Sequence, residues 1–228
     1  MESERVTQSK GNFYLRRDNP APRFKMTESF FTIVKPATGL YKDKGSKFLA
    51  FAHPVTDFEQ IKSVLEGLKK EYFDARHHCY AWVLGTDKKQ FKVFDDGEPN
   101  HSAGDPIYGQ IRSKNLTNVL VVVVRYFGGV KLGVSGLITA YKTAAADALN
   151  QAAITEQFVV RRYTIEYNYP ETSLVMSLVK DFELTLIGQE FKEQCQITVD
   201  VKIGDSETFL RKMDTMIARG HKVQISQK

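Results

Sequence analysis

The chain has 228 residues, 42% hydrophobic and 26% charged, with a formal net charge of +5, an ordinary globular composition with room for one large domain or two small ones. Its longest apolar run, Val119 to Val124, is far short of the ~20 residues of a membrane helix, and the first residues lack the apolar stretch of a secretory signal. Two distant cysteines, Cys79 and Cys195, exclude a disulfide framework and a zinc ribbon, so a cytoplasmic, reducing setting is expected.

Residues 1–25 hold six basic and three acidic side chains and two prolines without periodicity, and are read as a disordered or non-native tail. Patterned sequence begins with a strand at Phe30–Val34. Thr38–Ser46, with two glycines, reads as a polar turn, and Lys47–His53 as the next strand. From Asp57 to Phe73 the apolar positions Phe58, Ile61, Val64, Leu65, Leu68 and Tyr72 fall on one helical face, with Thr56 or Asp57 to cap it. His78–Leu84 and Phe91–Phe94 form a hairpin across Gly85–Lys89.

An irregular stretch, Asp95–Asp105, leads to a short helix with Asp105 as N-cap and Pro106 in its first position. Val119–Val124, all apolar and mostly β-branched, predicts a strand buried on both faces. After a glycine-rich turn, Ser135–Gln151 reads as an alanine-rich helix packed closely on a sheet. Residues 152–161 read as a connection.

The remainder gives strand Tyr163–Tyr167, helix Glu171–Phe182, strands Leu184–Ile187 and Cys195–Ile203, helix Glu207–Arg219 and strand Lys222–Ser226. This βαββαβ order is ferredoxin-like. The fold class is therefore α+β with two domains, residues 26–157 as an N-terminal α/β sandwich and residues 158–228 as a ferredoxin-like domain.

Three constellations have chemical content. Arg125-Tyr126-Phe127-Gly128-Gly129-Val130-Lys131-Leu132-Gly133 joins a buried strand to a helix. Free N–H groups at such a junction, beside Arg125 and Lys131, form an anion-binding concavity. The spacing fits neither a Walker loop nor a dinucleotide fingerprint, and the same glycines also serve close helix-on-strand packing. Asp95, Asp96, Glu98 and Asp105 with His101 and Ser102 form an acidic loop that suits either a divalent cation or ordinary turn and cap chemistry.

Arg76, His77 and His78 precede Cys79. Strand alternation puts Cys79 with Ala81 and Val83 and turns His78 to the opposite face with Tyr80 and Trp82, so Cys79 is read as a buried hydrophobe rather than a nucleophile. A zinc site from His77, His78 and His101 lacks the usual spacing. The metal question stays open, and no catalytic residue or cofactor is assigned.

The segments DDGEP, SAGDPI, VLVVVVRYFGGVKLG, SGL and AYKTAA, preceded by ARHHCYAW, closely resemble the IMPACT/YigZ family from about Phe30 to Ala152. The resemblance implies a cytosolic two-domain protein whose first domain is similar to domain IV of elongation factor G and whose second is similar to its domain V. Asn100-His101-Ser102 stands where the family often has Gly-Thr, with Ser102 left to supply a hydroxyl. Eukaryotic members regulate translation under amino-acid stress through an extra N-terminal domain, a role not carried over here.

The resulting expectation is a non-enzymatic, translation-associated regulator that binds RNA, the ribosome or translation factors through the Arg125–Gly133 turn, without a membrane partner or DNA sequence specificity. Two alternatives stand beside it: a metal-assisted hydrolase or other enzyme acting on a small anionic metabolite, and a protein-interaction adaptor. Bulk charge adds little to the choice. Of the net +5, residues 1–25 supply +3, residues 26–157 supply +2 and residues 158–228 are neutral.

Overall fold

A computed structural model describes residues 28–192 and 194–228; the tail expected over residues 1–25 lies outside them. In chain order the first elements are β1 (Ser29–Ile33), β2 (Ala37–Asp43), β3 (Ser46–Pro54), α1 (Phe58–Glu71), β4 (His77–Leu84), β5 (Gln90–Phe94), α2 (Gly104–Ser113), β6 (Val119–Tyr126) and α3 (Gly133–Gln151). They are followed by β7 (Ile154–Phe158), β8 (Val160–Tyr167), a single 3-10 turn at Tyr169–Glu171, α4 (Thr172–Asp181), β9 (Thr185–Phe191), β10 (Cys195–Lys202), α5 (Ser206–Ala218) and β11 (Val223–Gln227). Among the described residues no helix is long and apolar enough to cross a membrane.

Five strands form an antiparallel sheet in the order β2-β3-β6-β4-β5. Its central strand β6 is buried from Val119 to Arg125 because helices cover both faces. Val119, Val121 and Val123 join Cys79, Ala81 and Val83 under α2 and α3. Leu120, Val122 and Val124 join Tyr80, Trp82 and Leu84 under Ile61 and Leu68 of α1. The alternation expected for Cys79 and His78 therefore holds. Asp57 caps α1 by accepting from the Gln60 N–H at 2.8 Å.

Two readings need correction. Thr38–Ser46 is not a turn: β2 and β3 form a hairpin that reverses at Lys44-Gly45, both with positive φ. The glycine at 39 hides the strand because α3 packs against it so closely that a Cβ there would lie 2.3 Å from the Ala148 nitrogen. Residues 152–161 are also more than a connection. β7 pairs antiparallel with β1 in a two-stranded ribbon, and β8 begins at Val160.

The second antiparallel sheet runs β11-β8-β10-β9, the strand order of a ferredoxin-like unit. Its apolar face, with Ile165, Ile197, Val199 and Val201, is closed by Val175, Leu178, Phe209 and Met213 from α4 and α5. Cys195 is part of that core. The fold is α+β, with five helices and three antiparallel sheets among the described residues.

Candidate functional site

The segment Asp95–Asp105 leaves the edge strand β5 and folds back on itself, with positive φ at Asp96, Gly97 and His101. Its carboxylates account for this path. Asp95 Oδ1 accepts from the N–H groups of Ala103 and Gly104 at 2.9 and 2.8 Å, and Oδ2 accepts from the His101 N–H at 2.9 Å. The free donors at the start of α2 are thus satisfied from eight and nine residues upstream. The expected cap, Asp105, does not serve: α2 begins at Gly104, and the Asp105 carboxylate meets His101 Nδ1 at 2.5 Å. Asp96 accepts from the His78 N–H at 2.7 Å, and its carbonyl receives the His77 Nδ1 proton at 2.8 Å. The Ser102 hydroxyl is buried and donates to the Pro99 carbonyl at 2.6 Å.

Glu98 turns inward and is buried. Its Oε1 accepts from Arg125 Nη1 at 2.6 Å and from the Tyr141 hydroxyl at 2.7 Å. The Cys79 thiol donates to the Asp95 carbonyl at 3.0 Å and to the Tyr141 hydroxyl at 3.3 Å. Burial pushes both the thiol and the phenol well above their ordinary pKa values, so Cys79 stays protonated and is no nucleophile.

The acidic loop is thereby tied to β4, β6 and α3, and its carboxylates are aimed at protein donors. His77 and His101 bond different parts of the loop, while the His78 ring lies on the opposite face of the sheet, where burial lowers its pKa. They do not converge as a zinc site requires. Among the described residues no group of three His, Cys, Asp or Glu side chains is arranged to hold a metal ion.

The glycine-rich turn is organised in the opposite way. Gly128 passes so close to the β2–β3 turn that a Cβ would fall 1.9 Å from the Gly45 carbonyl carbon, and Gly129 and Gly133 adopt φ of +89° and +72°. These conformations start α3 at Gly133, two residues before the expected Ser135. Its cap position is Leu132, which has no side-chain oxygen and makes no capping bond. The first-turn N–H groups of α3 therefore have no side-chain cap.

They open on a cleft of about 410 Å³ lined by Arg76, Glu98, Arg125, Phe127, Lys131 and Val134 among others. Arg125 is only 7% exposed, sits 5.5–5.6 Å from the ring centres of Phe48 and Phe127, and has no hydrogen-bond partner for its Nε among the described residues. Arg76 and Lys131 are exposed and make no ion pair among the described residues.

The fold thus joins candidates that lie about fifty residues apart in sequence. Arg76, His77, Glu98, Arg125, Phe127, Lys131 and Gly133 share the cleft. Asp95, Asp96 and Ser102 support it from behind. Tyr126 packs on the other face of the sheet, where its hydroxyl donates to Asp74 at 2.7 Å and its pKa is pushed up to about 12. Tyr141 is an addition that the sequence did not single out. A larger groove of about 620 Å³ along β2 has Asp147 as its one charged lining residue, and that carboxylate is bound by the Leu40 N–H at 2.9 Å.

Comparison with known proteins places these features in a family. The Impact N-terminal domain matches residues 44–149, the segment that carries the whole cleft. IMPACT family member YigZ of Escherichia coli (strain K12) is 32% identical over 167 residues, covering 72% of this chain and 82% of that protein. Protein IMPACT of Oryctolagus cuniculus is 36% identical over 94 residues, 40% of this chain and 30% of that protein. A crystal structure described as that of a hypothetical protein superposes with a TM-score of 0.65 at 29% identity, covering 88% of this chain and 97% of the other.

Proposed function

The chain belongs to the IMPACT family, and from that premise we propose that it is a non-enzymatic binding protein of the translation apparatus that holds a phosphate of RNA, on the ribosome or on a ribosome-bound factor complex, in the cleft at the start of α3. We take residues 26–157 as the domain that carries the cleft and residues 158–228 as a second domain. The translational setting is supported by the family, whose eukaryotic members regulate translation.

One observation carries the chemistry. Among the described residues, the uncapped N-terminus of a 19-residue helix and the unpaired Arg76 and Lys131 line one cleft, and the buried Arg125 in its wall keeps an unpartnered Nε. Helix N-termini favour anions through their free N–H groups and their dipole, and Arg76 and Lys131 add charge without a competing carboxylate. Glu98 also borders the cleft, but its charge is already matched by Arg125. An enzymatic role for the acidic loop has no comparable support, because its carboxylates hold the loop together.

Ribosome co-sedimentation across a salt series tests the proposal. The protein is expected to pellet with ribosomes at low salt and to release steeply as salt rises. Arg76→Ala with Lys131→Ala removes both free cations from that phosphate and makes the log–log salt dependence shallower by about 1. Val134→Asp is the sharper variant: a carboxylate in the first turn stabilises the helix by up to about 1 kcal/mol while occupying and repelling from the anion site. Retained folding with lost pelleting supports the reading. No pelleting of the parent protein at low salt, or full pelleting of both variants, overturns it.

A further inference from the structure

The five-stranded sheet is covered unevenly. On the face that carries Leu120, Val122 and Val124, α1 is the single helix in the core cluster among the described residues, and a gap remains between it and the edge strand β5. This groove, of about 400 Å³, has Tyr80 and Trp82 on its floor, Phe58, Lys62 and Lys69 on its α1 wall and Lys92 on its β5 wall. Trp82 pairs in register with Lys92, and Tyr80 with Phe94, so β5 alternates a cation and an aromatic ring along the rim.

Two properties are unusual for a solvated surface. Phe58 and Phe94 are 56% and 38% exposed beside the two buried aromatics, with ring centres 5.3 Å from Trp82 and 5.1 Å from Tyr80. Lys62, Lys69 and Lys92 are exposed and make no ion pair among the described residues, and Glu66 is the one acid in the lining. Lys62 and Lys69 are two helical turns apart, roughly 10 Å along α1. That spacing spans more than one nucleotide of an extended strand, with Phe58 one turn before Lys62 and Phe94 two residues after Lys92 on the facing strand.

We propose that this α1–β5 groove binds single-stranded RNA, its lysines tracking the phosphates and Phe58 and Phe94 stacking on unpaired bases. Charge complementarity selects a polyanion, and the exposed rings select one with planar bases over a merely acidic peptide. The groove lies on the opposite face of the sheet from the side chains of Cys79 and Arg125, so it goes beyond the phosphate cleft and stands or falls separately from it.

Fluorescence anisotropy of the full chain with a labelled 12-nucleotide oligouridine, at 50 and 200 mM salt, tests it. The wild-type chain binds at low salt. The Lys62→Ala, Lys69→Ala, Lys92→Ala triple variant binds at least about tenfold more weakly, with a log–log salt slope shallower by about 2. Phe94→Ala weakens binding by about tenfold with an unchanged slope.

The two surfaces are separated by readout: the triple variant weakens oligouridine binding, and Arg76→Ala with Lys131→Ala lowers ribosome pelleting. Absence of oligouridine binding at low salt, indifference to the triple variant, or equal displacement of the RNA by polyglutamate overturns the proposal. The substituted side chains are exposed, so loss of fold does not mimic these outcomes.

Discussion

The acidic loop and the glycine-rich turn meet in one cleft, yet their polar groups have opposite fates. In the loop, Asp95, Asp96 and Glu98 bind backbone donors, a guanidinium and a phenol of the same chain. In the turn, among the described residues, Lys131 makes no ion pair, the start of α3 has no side-chain cap and Arg125 keeps one buried donor unpaired. From the sequence the acidic loop suits a cation or turn chemistry, and the glycine run suits an anion or close packing. Hydrogen-bond accounting separates them: the loop's carboxylates are scaffold, and the turn holds the unused donors.

The largest effect that tests this contrast comes from the buried pair that joins the two segments. Glu98→Ala leaves the Arg125 charge buried without its partner and is expected to destabilise the protein by about 3–5 kcal/mol, read as a loss of urea midpoint. Replacing both residues, with Glu98→Leu and Arg125→Met, recovers most of that loss while abolishing ribosome pelleting. If Glu98→Ala is neutral, the loop is not the scaffold described here. Arg125→Ala alone is a poor probe of ligand binding for the same reason, and Arg76 with Lys131 is the informative pair.

A smaller effect is expected at Asp95, which sharpens the scaffold half of the contrast. Asp95→Ala removes the acceptor for three N–H groups, two of them at the start of α2. A lost helix cap costs about 0.5–2 kcal/mol, and thermal unfolding should report a loss toward the upper end of that range. Asp105→Ala, at the position that local sequence rules favour for the cap, should cost less than about 0.5 kcal/mol.

Which parts were legible follows from the range of the interactions. Alternation in β4 and the apolar run of β6 report their own burial, because side-chain direction in a strand is a local property. α1 declares itself by period and by Asp57. The Asp95 cap does not, since a carboxylate that acts across eight or nine residues leaves no local pattern and Asp105-Pro106 imitates a standard start.

Gly39 hid β2 because the reason for that glycine, the backbone of α3 at Ala148, lies more than a hundred residues away. Tyr141 was lost among the alanines of α3, although it links Glu98 to Cys79. Both halves of the cleft were visible, and their meeting was not. It is made by the pairing of β4 with β6, which sets His77 opposite Arg125.

The smallest effect concerns the two adjacent histidines, which divide between the regions. His77 bonds the acidic loop, whereas His78 is buried on the α1 face with its Nε2 unpartnered. Desolvation disfavours the charged imidazole of His78 and lowers its pKa from 6.5, against the opposing pull of Asp96. The folded state therefore binds this proton less readily than the unfolded chain, and stability must rise with pH across this range. The stabilisation is complete above the unfolded value of about 6.5 and is lost as the pH falls through the lower folded value.

Melting temperatures should consequently be flat from pH 8 to 7 and decline below that. His78→Phe keeps an apolar ring in the α1-face cluster and should make the decline shallower. It should not abolish it, because burial also lowers the pKa of His53. An unchanged slope in His78→Phe would mean that the ring gains water or a proton acceptor on this face. The helix α1, which also walls the RNA groove through Lys69, would then be packed less closely on the sheet than its contacts with Tyr80 and Trp82 indicate.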